Sequence, residues 1–106
     1  MSRIEQFEKM LAQGHDGPLL RFSLGNEYLG ADDPQTAATH LRAAVERDPG
    51  YSAAWKALGR ACERAGDNEA AAAAYDSGIE AADAHGDKQA AKEMRVFRRR
   101  LDKRGQ

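Results

Sequence analysis

Between residues 55 and 79 the apolar positions fall into two runs with helical spacing. Trp55, Leu58, Cys62 and Ala65 recur three or four residues apart, and after a polar interval so do Ala71, Tyr75, Gly78 and Ile79. Each segment therefore carries one apolar stripe, the mark of a helix with a single buried face. The interval "GDNE" reads as a stop followed by a start, because Gly66 can end one helix in a left-handed conformation and Asp67 can cap the next. The equivalent interval upstream has Asp33 as the cap and Pro34 at the first helical position, where a missing N–H costs nothing.

The two intervals belong to a longer self-similarity. Laying "RFSLGNEYLGADDPQTAATHL" over "WKALGRACERAGDNEAAAAAY" pairs Leu24 with Leu58, Gly25 with Gly59, Tyr28 with Cys62, Asp33 with Asp67, Ala37 with Ala71 and Leu41 with Tyr75, every pair 34 residues apart. A period of that length, with a Trp, then Leu-Gly, then a bulky residue, then Ala and an aromatic, resembles the tetratricopeptide repeat, in the manner of a small two-repeat protein of bacterial type. The resemblance implies helix-turn-helix units stacked as a short right-handed solenoid, with repeat one over 18–51 (from Pro18 to Tyr51) and repeat two over 52–85 (from Ser52 to His85). Departures from the pattern are local. Arg21 stands where repeat two has Trp55, and Ala82 and Asp83 replace the closing Asp48 and Pro49, so the last helix of repeat two is expected to run on to Ala84.

Small residues explain how paired helices meet. Gly25 and Gly59 fall mid-helix, where glycine costs about 0.5 to 1 kcal/mol relative to Ala, and close approach of a partner helix carrying Ala37 or Ala71 would offset that cost. In the alanine run, Ala71 and Ala74 are expected to face a neighbour and Ala72 and Ala73 the solvent. Gly78 stands where the family usually has Ala, through closer packing or through neutral drift. The repeat-packing set is thus Leu24, Gly25, Tyr28, Ala37, Leu41, Trp55, Leu58, Gly59, Cys62, Ala71 and Tyr75.

Both ends carry amphipathic segments. Residues 1–14 form a capping helix, with Ser2 and Glu5 as a capping box, Ile4, Phe7, Met10 and Leu11 as the stripe, and Gly14 as the stop. Residues 86–104 place Ala90, Met94, Phe97 and Leu101 on one face of a basic helix that lacks the Leu-Gly pair of a full repeat. The expected architecture is all-α, one domain over 1–106 with about six helices.

Charge changes this picture in one respect. The net charge is −1, but 86–106 hold eight Lys or Arg against three Asp or Glu, a local balance of +5. The N-terminus has no apolar run of signal-peptide type and no stretch reaches the roughly 20 apolar residues of a membrane span, so the expectation is a cytoplasmic protein without membrane contact.

Candidates for chemistry are sparse. A single cysteine, Cys62, excludes an internal disulfide framework and occupies a core position of the repeat. His15, His40 and His85 enter no metal-binding spacing, and His15 beside Asp16 reads as a loop with a helix cap rather than a dyad. There is no phosphate loop or nucleophile elbow. The chain reads as non-enzymatic, with no cofactor and no metal.

Binding is the favoured class. In proteins of the resembled family the first helices of successive repeats line a concave groove for peptides or partner helices. Carried over by position, that groove presents Phe22, Asn26 and Leu29 from repeat one and Lys56, Arg60, Glu63 and Arg64 from repeat two, an apolar ledge beside a basic patch suited to an acidic or C-terminal peptide. The terminal-carboxylate clamp of the co-chaperone members is matched only at Asn26, with Phe22 and Ala57 at other clamp positions, which sets chaperone tails aside. Two alternatives stand beside this reading. One is nucleic-acid binding through the basic C-terminal helix, disfavoured by the acidic remainder and the lack of stacking aromatics. The other is self-assembly, to a homodimer for instance, in which the basic helix of one copy meets the acidic repeats of another.

Overall fold

The structure, a computed structural model, describes residues 1–104, so the last two positions of the expected domain, 105 and 106, lie outside the described residues. Six helices follow one another: α1 (Arg3–Ala12), α2 (Pro18–Gly30), α3 (Pro34–Arg47), α4 (Ser52–Arg64), α5 (Asn68–Ala84) and α6 (Lys88–Arg104). The helix of repeat two does extend to Ala84.

Caps and turns set these boundaries. The Asp33 side chain accepts from the Thr36 N–H at 3.2 Å and Asp67 from the Ala70 N–H at 3.0 Å, so the two repeats start their second helices with the same device. Ahead of each cap the chain needs one left-handed residue. Repeat two supplies Gly66 at φ 83°, whereas repeat one supplies Asp32 at φ 60°, one of the few residue types with a Cβ that tolerate that region. Ser2 caps α1 by accepting from the Glu5 N–H at 3.1 Å.

Packing joins α2 to α3, α4 to α5 and α5 to α6. Helices α2, α4 and α6 touch in succession, whereas α3 and α5 do not approach each other, so the stack, 43 × 29 × 18 Å overall, is concave on the α2–α4–α6 side. The mid-helix glycines permit the close pairings. A Cβ on Gly25 would lie 2.5 Å from Leu41 Cδ2, and one on Gly59 2.6 Å from Tyr75 Cδ1. At Gly78 a Cβ would sit 2.7 Å from Trp55 Cβ and against the Met94 thioether, which decides for close packing over drift.

The core is continuous from α3 to α6. Leu24, Ala37, Leu41, Ala71, Tyr75 and Met94 are fully buried, and Leu58 and Cys62 nearly so. Each large side chain contributes about 1.5–3 kcal/mol by leaving water. Two packing residues sit less deeply than the pattern suggests, and one alanine sits more deeply. Tyr28 and Trp55 are half-buried, the latter because its Nε1 reaches out to donate to the Pro49 carbonyl at 2.8 Å. Ala72, expected in solvent, is half-buried against the core, because the face that α5 buries is wider than the stripe through Ala71 and Ala74.

Candidate binding groove

On α2, Phe22, Asn26 and Leu29 lie at i, i+4 and i+7 and share one face; on α4, Ala53, Lys56, Ala57 and Arg60 do the same. The two faces meet across the concave side and line a cavity of about 190 Å³. Phe22 is steadied by the Tyr51 ring, centroids 4.9 Å apart, while Asn26 stays exposed at the rim. Arg60 also borders a second, larger cavity of about 530 Å³ between α4 and α6, shared with Glu63, Arg64, Phe97, Arg100 and Arg104. The groove therefore runs from an apolar shelf on α2 and α4 to a basic pocket walled by α6.

The charged candidates differ in what already holds them. Lys56 Nζ is paired with Glu93 Oε2 at 3.1 Å, and that bond, helped by Gln89, holds the Glu93 carboxyl below the usual carboxylate range. Arg64 donates to Asp32 at 2.8 Å and to the Leu29 carbonyl at 3.0 Å, tying the two repeats together across the rim. Glu63 is paired with Arg104 at 3.1 Å and accepts from the Tyr75 hydroxyl. Burial first, and the Glu63 carboxylate second, push the Tyr75 phenol far up, so it stays a donor. Among the described residues Arg60 alone of these four has no ion-pair partner. Phe97, Arg100 and Arg104 were absent from the sequence-derived groove. Their signal was there, with Arg100 and Arg104 one turn apart and Phe97 three residues before Arg100, but only the fold shows that α6 stands beside α4.

The basic helix spends much of its charge inside the chain. Arg95 pairs with Asp83 at 2.6 Å, Arg98 with Asp76 at 3.0 Å and with Asp102, and Arg104 with Glu63. The charge separation along the sequence is thus closed in part within one molecule, three arginines of the basic helix meeting carboxylates of the same chain, while Lys88, Lys92, Arg99 and Lys103 are exposed without an ion-pair partner among the described residues. Such exposed pairs contribute about 0–1 kcal/mol each.

A second polar cluster lies at the other end. Asp16 accepts from Arg21 at 2.7 and 2.9 Å and from Arg47 at 2.7 Å; the Arg21 bonds hold its carboxyl below its ordinary value. Asp16 is thus committed to arginines, while His15 is exposed. Arg21 also reaches His40 Nδ1 at 3.0 Å, and since a guanidinium only donates, Nδ1 accepts and the proton sits on Nε2. That Nε2 lies 3.3 Å from Glu8 Oε1, close enough for an ion contact but out of line for a hydrogen bond. Burial is the main cause lowering the His40 pKa; the Glu8 carboxylate opposes it, and Arg21 acts in the same direction as burial. Cys62 is buried with its thiol pKa raised by burial, the opposite of an activated thiol. Among the described residues no group of three or more His, Cys, Asp and Glu could hold a metal, and no helix is long and apolar enough to cross a membrane.

Successive antiparallel helix pairs whose first members line one concave face define a helical-repeat protein of the short solenoid class. The chain belongs to the tetratricopeptide repeat family, whose sequence profile matches residues 22–87. It is 56% identical over 100 residues to the TPR repeat-containing protein PA0015 of Pseudomonas aeruginosa, covering 94% of this chain and 95% of that one. Its fold is similar to the solution structure of protein BPP2914 from Bordetella parapertussis, with TM-score 0.83 and 46% identity over 98% of this chain and 90% of that chain. It is similar in fold also to MamA, with TM-score 0.70 and 19% identity over 96% of this chain and 68% of that chain. Repeats of this family are generally protein–protein interaction modules and typically non-catalytic.

Proposed function

We propose that the protein is a non-catalytic cytoplasmic adaptor that holds a peptide or helix of another protein in the concave groove, through Phe22, Asn26, Leu29, Lys56, Arg60, Glu63 and Arg64. In this reading the chain works as one unit, with 1–14 capping one end, repeats over 18–51 and 52–85, and 86–104 closing the other. The observation that carries it is the single cavity that Phe22, Asn26, Leu29, Lys56 and Arg60 line together, from two helices more than 20 residues apart in sequence. An apolar shelf with an amide and a guanidinium at its rim offers both burial and orientation to a bound segment. The internal pairing of Arg95, Arg98 and Arg104 supports this reading over nucleic-acid binding or charge-driven self-assembly to the extent that it withdraws three of the basic helix's cations from such contacts.

Site-specific photo-cross-linking in cells tests it. A benzophenone side chain at Asn26, exposed at the groove rim, is expected to give a discrete protein adduct, while one at Thr39, exposed on α3, gives none. Adducts of equal yield from both positions, or from neither, contradict the groove.

A further inference from the structure

The α4–α6 pocket differs in chemistry from the shelf beside it. Arg60 and Arg64 lie one turn apart on α4, and Arg100 and Arg104 one turn apart on α6, so two pairs of guanidiniums border one cavity of about 530 Å³. Like charges at i, i+4 repel within a helix, so each pair raises the free energy of its own element unless anions stand nearby. Two carboxylates of the chain do: Glu63 pairs with Arg104, and Asp32 with Arg64. Arg60 and Arg100 are left without an ion-pair partner among the described residues, a net of two positive charges at the mouth of the pocket. Arg100 stands 4.8 Å over the centre of the Phe97 ring, which fixes its guanidinium plane while leaving its N–H edge open. Phe97 in turn packs on Tyr75, centroids 5.6 Å apart, and so anchors the pocket to the core.

We propose that this pocket is an anion subsite of the groove, built by α6 as much as by α4, that takes two neighbouring carboxylates of an acidic peptide, one on Arg60 and one on Arg100. The proposal rests on the groove reading and adds to it the charge of the ligand and the direction in which it lies. Apolar side chains of the bound segment occupy the Phe22–Leu29 shelf, and the chain passes Arg60 to place its acidic residues against Phe97 and Arg100. A guanidinium presents parallel N–H groups that match the two oxygens of a carboxylate, and here two such forks sit at the edge of an aromatic floor. A peptide suits the site better than a nucleic acid. Asp76 and Asp83 of α5, with Asp102 of α6 itself, stand beside Arg98 and Arg95, so the positive potential along that side of α6 is interrupted by carboxylates instead of tracking continuously along a phosphate backbone.

The test is selection of random dodecapeptides displayed on phage against the full chain, followed by fluorescence anisotropy of the selected peptides. Three proteins are compared: wild type, Arg60→Gln/Arg100→Gln, and a Lys88→Gln/Lys92→Gln control that removes the same charge from exposed positions at the start of α6. Selected peptides are expected to carry adjacent Asp or Glu beside apolar residues. They should weaken about tenfold on the arginine variant, hold on the lysine control, and weaken with added salt. Neutral peptides that bind all three proteins alike would overturn the anion subsite and leave the groove reading standing. Equal weakening on the lysine control, or stronger binding of a single-stranded oligonucleotide than of any selected peptide, would also overturn the subsite. Failure to enrich any peptide would overturn the groove reading with it. Unchanged melting temperatures of both variants exclude unfolding as the cause of a loss.

Discussion

The two terminal helices are both amphipathic, yet they are attached by different physics. Helix α6 buries Ala91, Met94 and Leu101 and packs along α5 as the first helix of a further repeat would. Helix α1 buries no residue; Ile4, Phe7 and Leu11 are only half-covered, and Met10 is exposed. Between α1 and α2 lies an apolar crevice of about 550 Å³ bordered by Phe7, Met10, Leu19 and Leu20. Two polar contacts add to this half-covered face, the Arg3–Glu27 pair at 3.1 Å and the Glu8–His40 contact. An apolar interface is insensitive to acid and to salt, while a polar one answers to both. The N-terminal end is therefore the part that opens first, and the C-terminal end belongs to the cooperative core.

The largest expected effect separates these ends directly. Met94→Ala removes a fully buried side chain wedged between Gly78 and the core, and should cost about 3 kcal/mol, close to a 15 °C fall in melting temperature. Leu11→Ala, on the half-covered face of α1, should cost under about 1 kcal/mol by the same calorimetry. Equal losses would mean that α1 is as much a part of the core as α6.

Next in size is a comparison of the two repeats. Gly59→Leu and Gly25→Leu insert the same bulk at equivalent helix crossings, against Tyr75 and Leu41 respectively. Both should destabilise by about 1–3 kcal/mol, since Tyr75 and Leu41 are each fully buried, and the first by more, because a rigid ring has fewer ways to move aside than a leucine. Denaturant melts of the two variants check the order; an unchanged melt for Gly59→Leu would contradict the close helix pairing.

The smallest effect is a pH dependence confined to the N-terminal end. His40 faces Arg21, Glu8, Asp16 and the Tyr28 ring, stacked at 5.4 Å, and its pKa lies below 6.5 in the folded state, chiefly through burial. The unfolded state then binds the proton more readily, so this contribution is present above pH 6.5 and is lost as pH falls below it. Asp16, whose pKa is also lowered, adds a loss at lower pH, as acidification passes its unfolded value near 3.8. Amide resonances around Arg21 in α2 and His40 in α3 should shift as pH falls below 6.5 while those of α6 hold, and His40→Leu should remove that step. Parallel shifts at both ends would contradict the assignment to His40.

Much of the fold is legible in the chain because it repeats. A period of 34 residues, caps at Asp33 and Asp67, and glycines at the helix crossings are local signals, and each has a local structural consequence. The shelf was readable for the same reason, since Phe22, Asn26 and Leu29 share a helix face whatever lies opposite. What escaped were pairings across distance. Nothing near Lys56 in sequence announces Glu93, and the cluster of Asp16, Arg21, His40 and Glu8 joins three helices and a loop. The basic tail read as a cap with surplus charge, and only its packing beside α4 shows that Arg100 and Phe97 wall the groove.

The account's central claim is that the concave face from α2 to α6 is the binding surface. It is tested most directly by following backbone amide resonances during titration with a phage-selected peptide. The account predicts perturbations at Phe22, Asn26, Arg60, Phe97 and Arg100, with α1 silent. Perturbations confined to the crevice of Phe7, Met10 and Leu19, or to the outer face of α3 and α5, would contradict it.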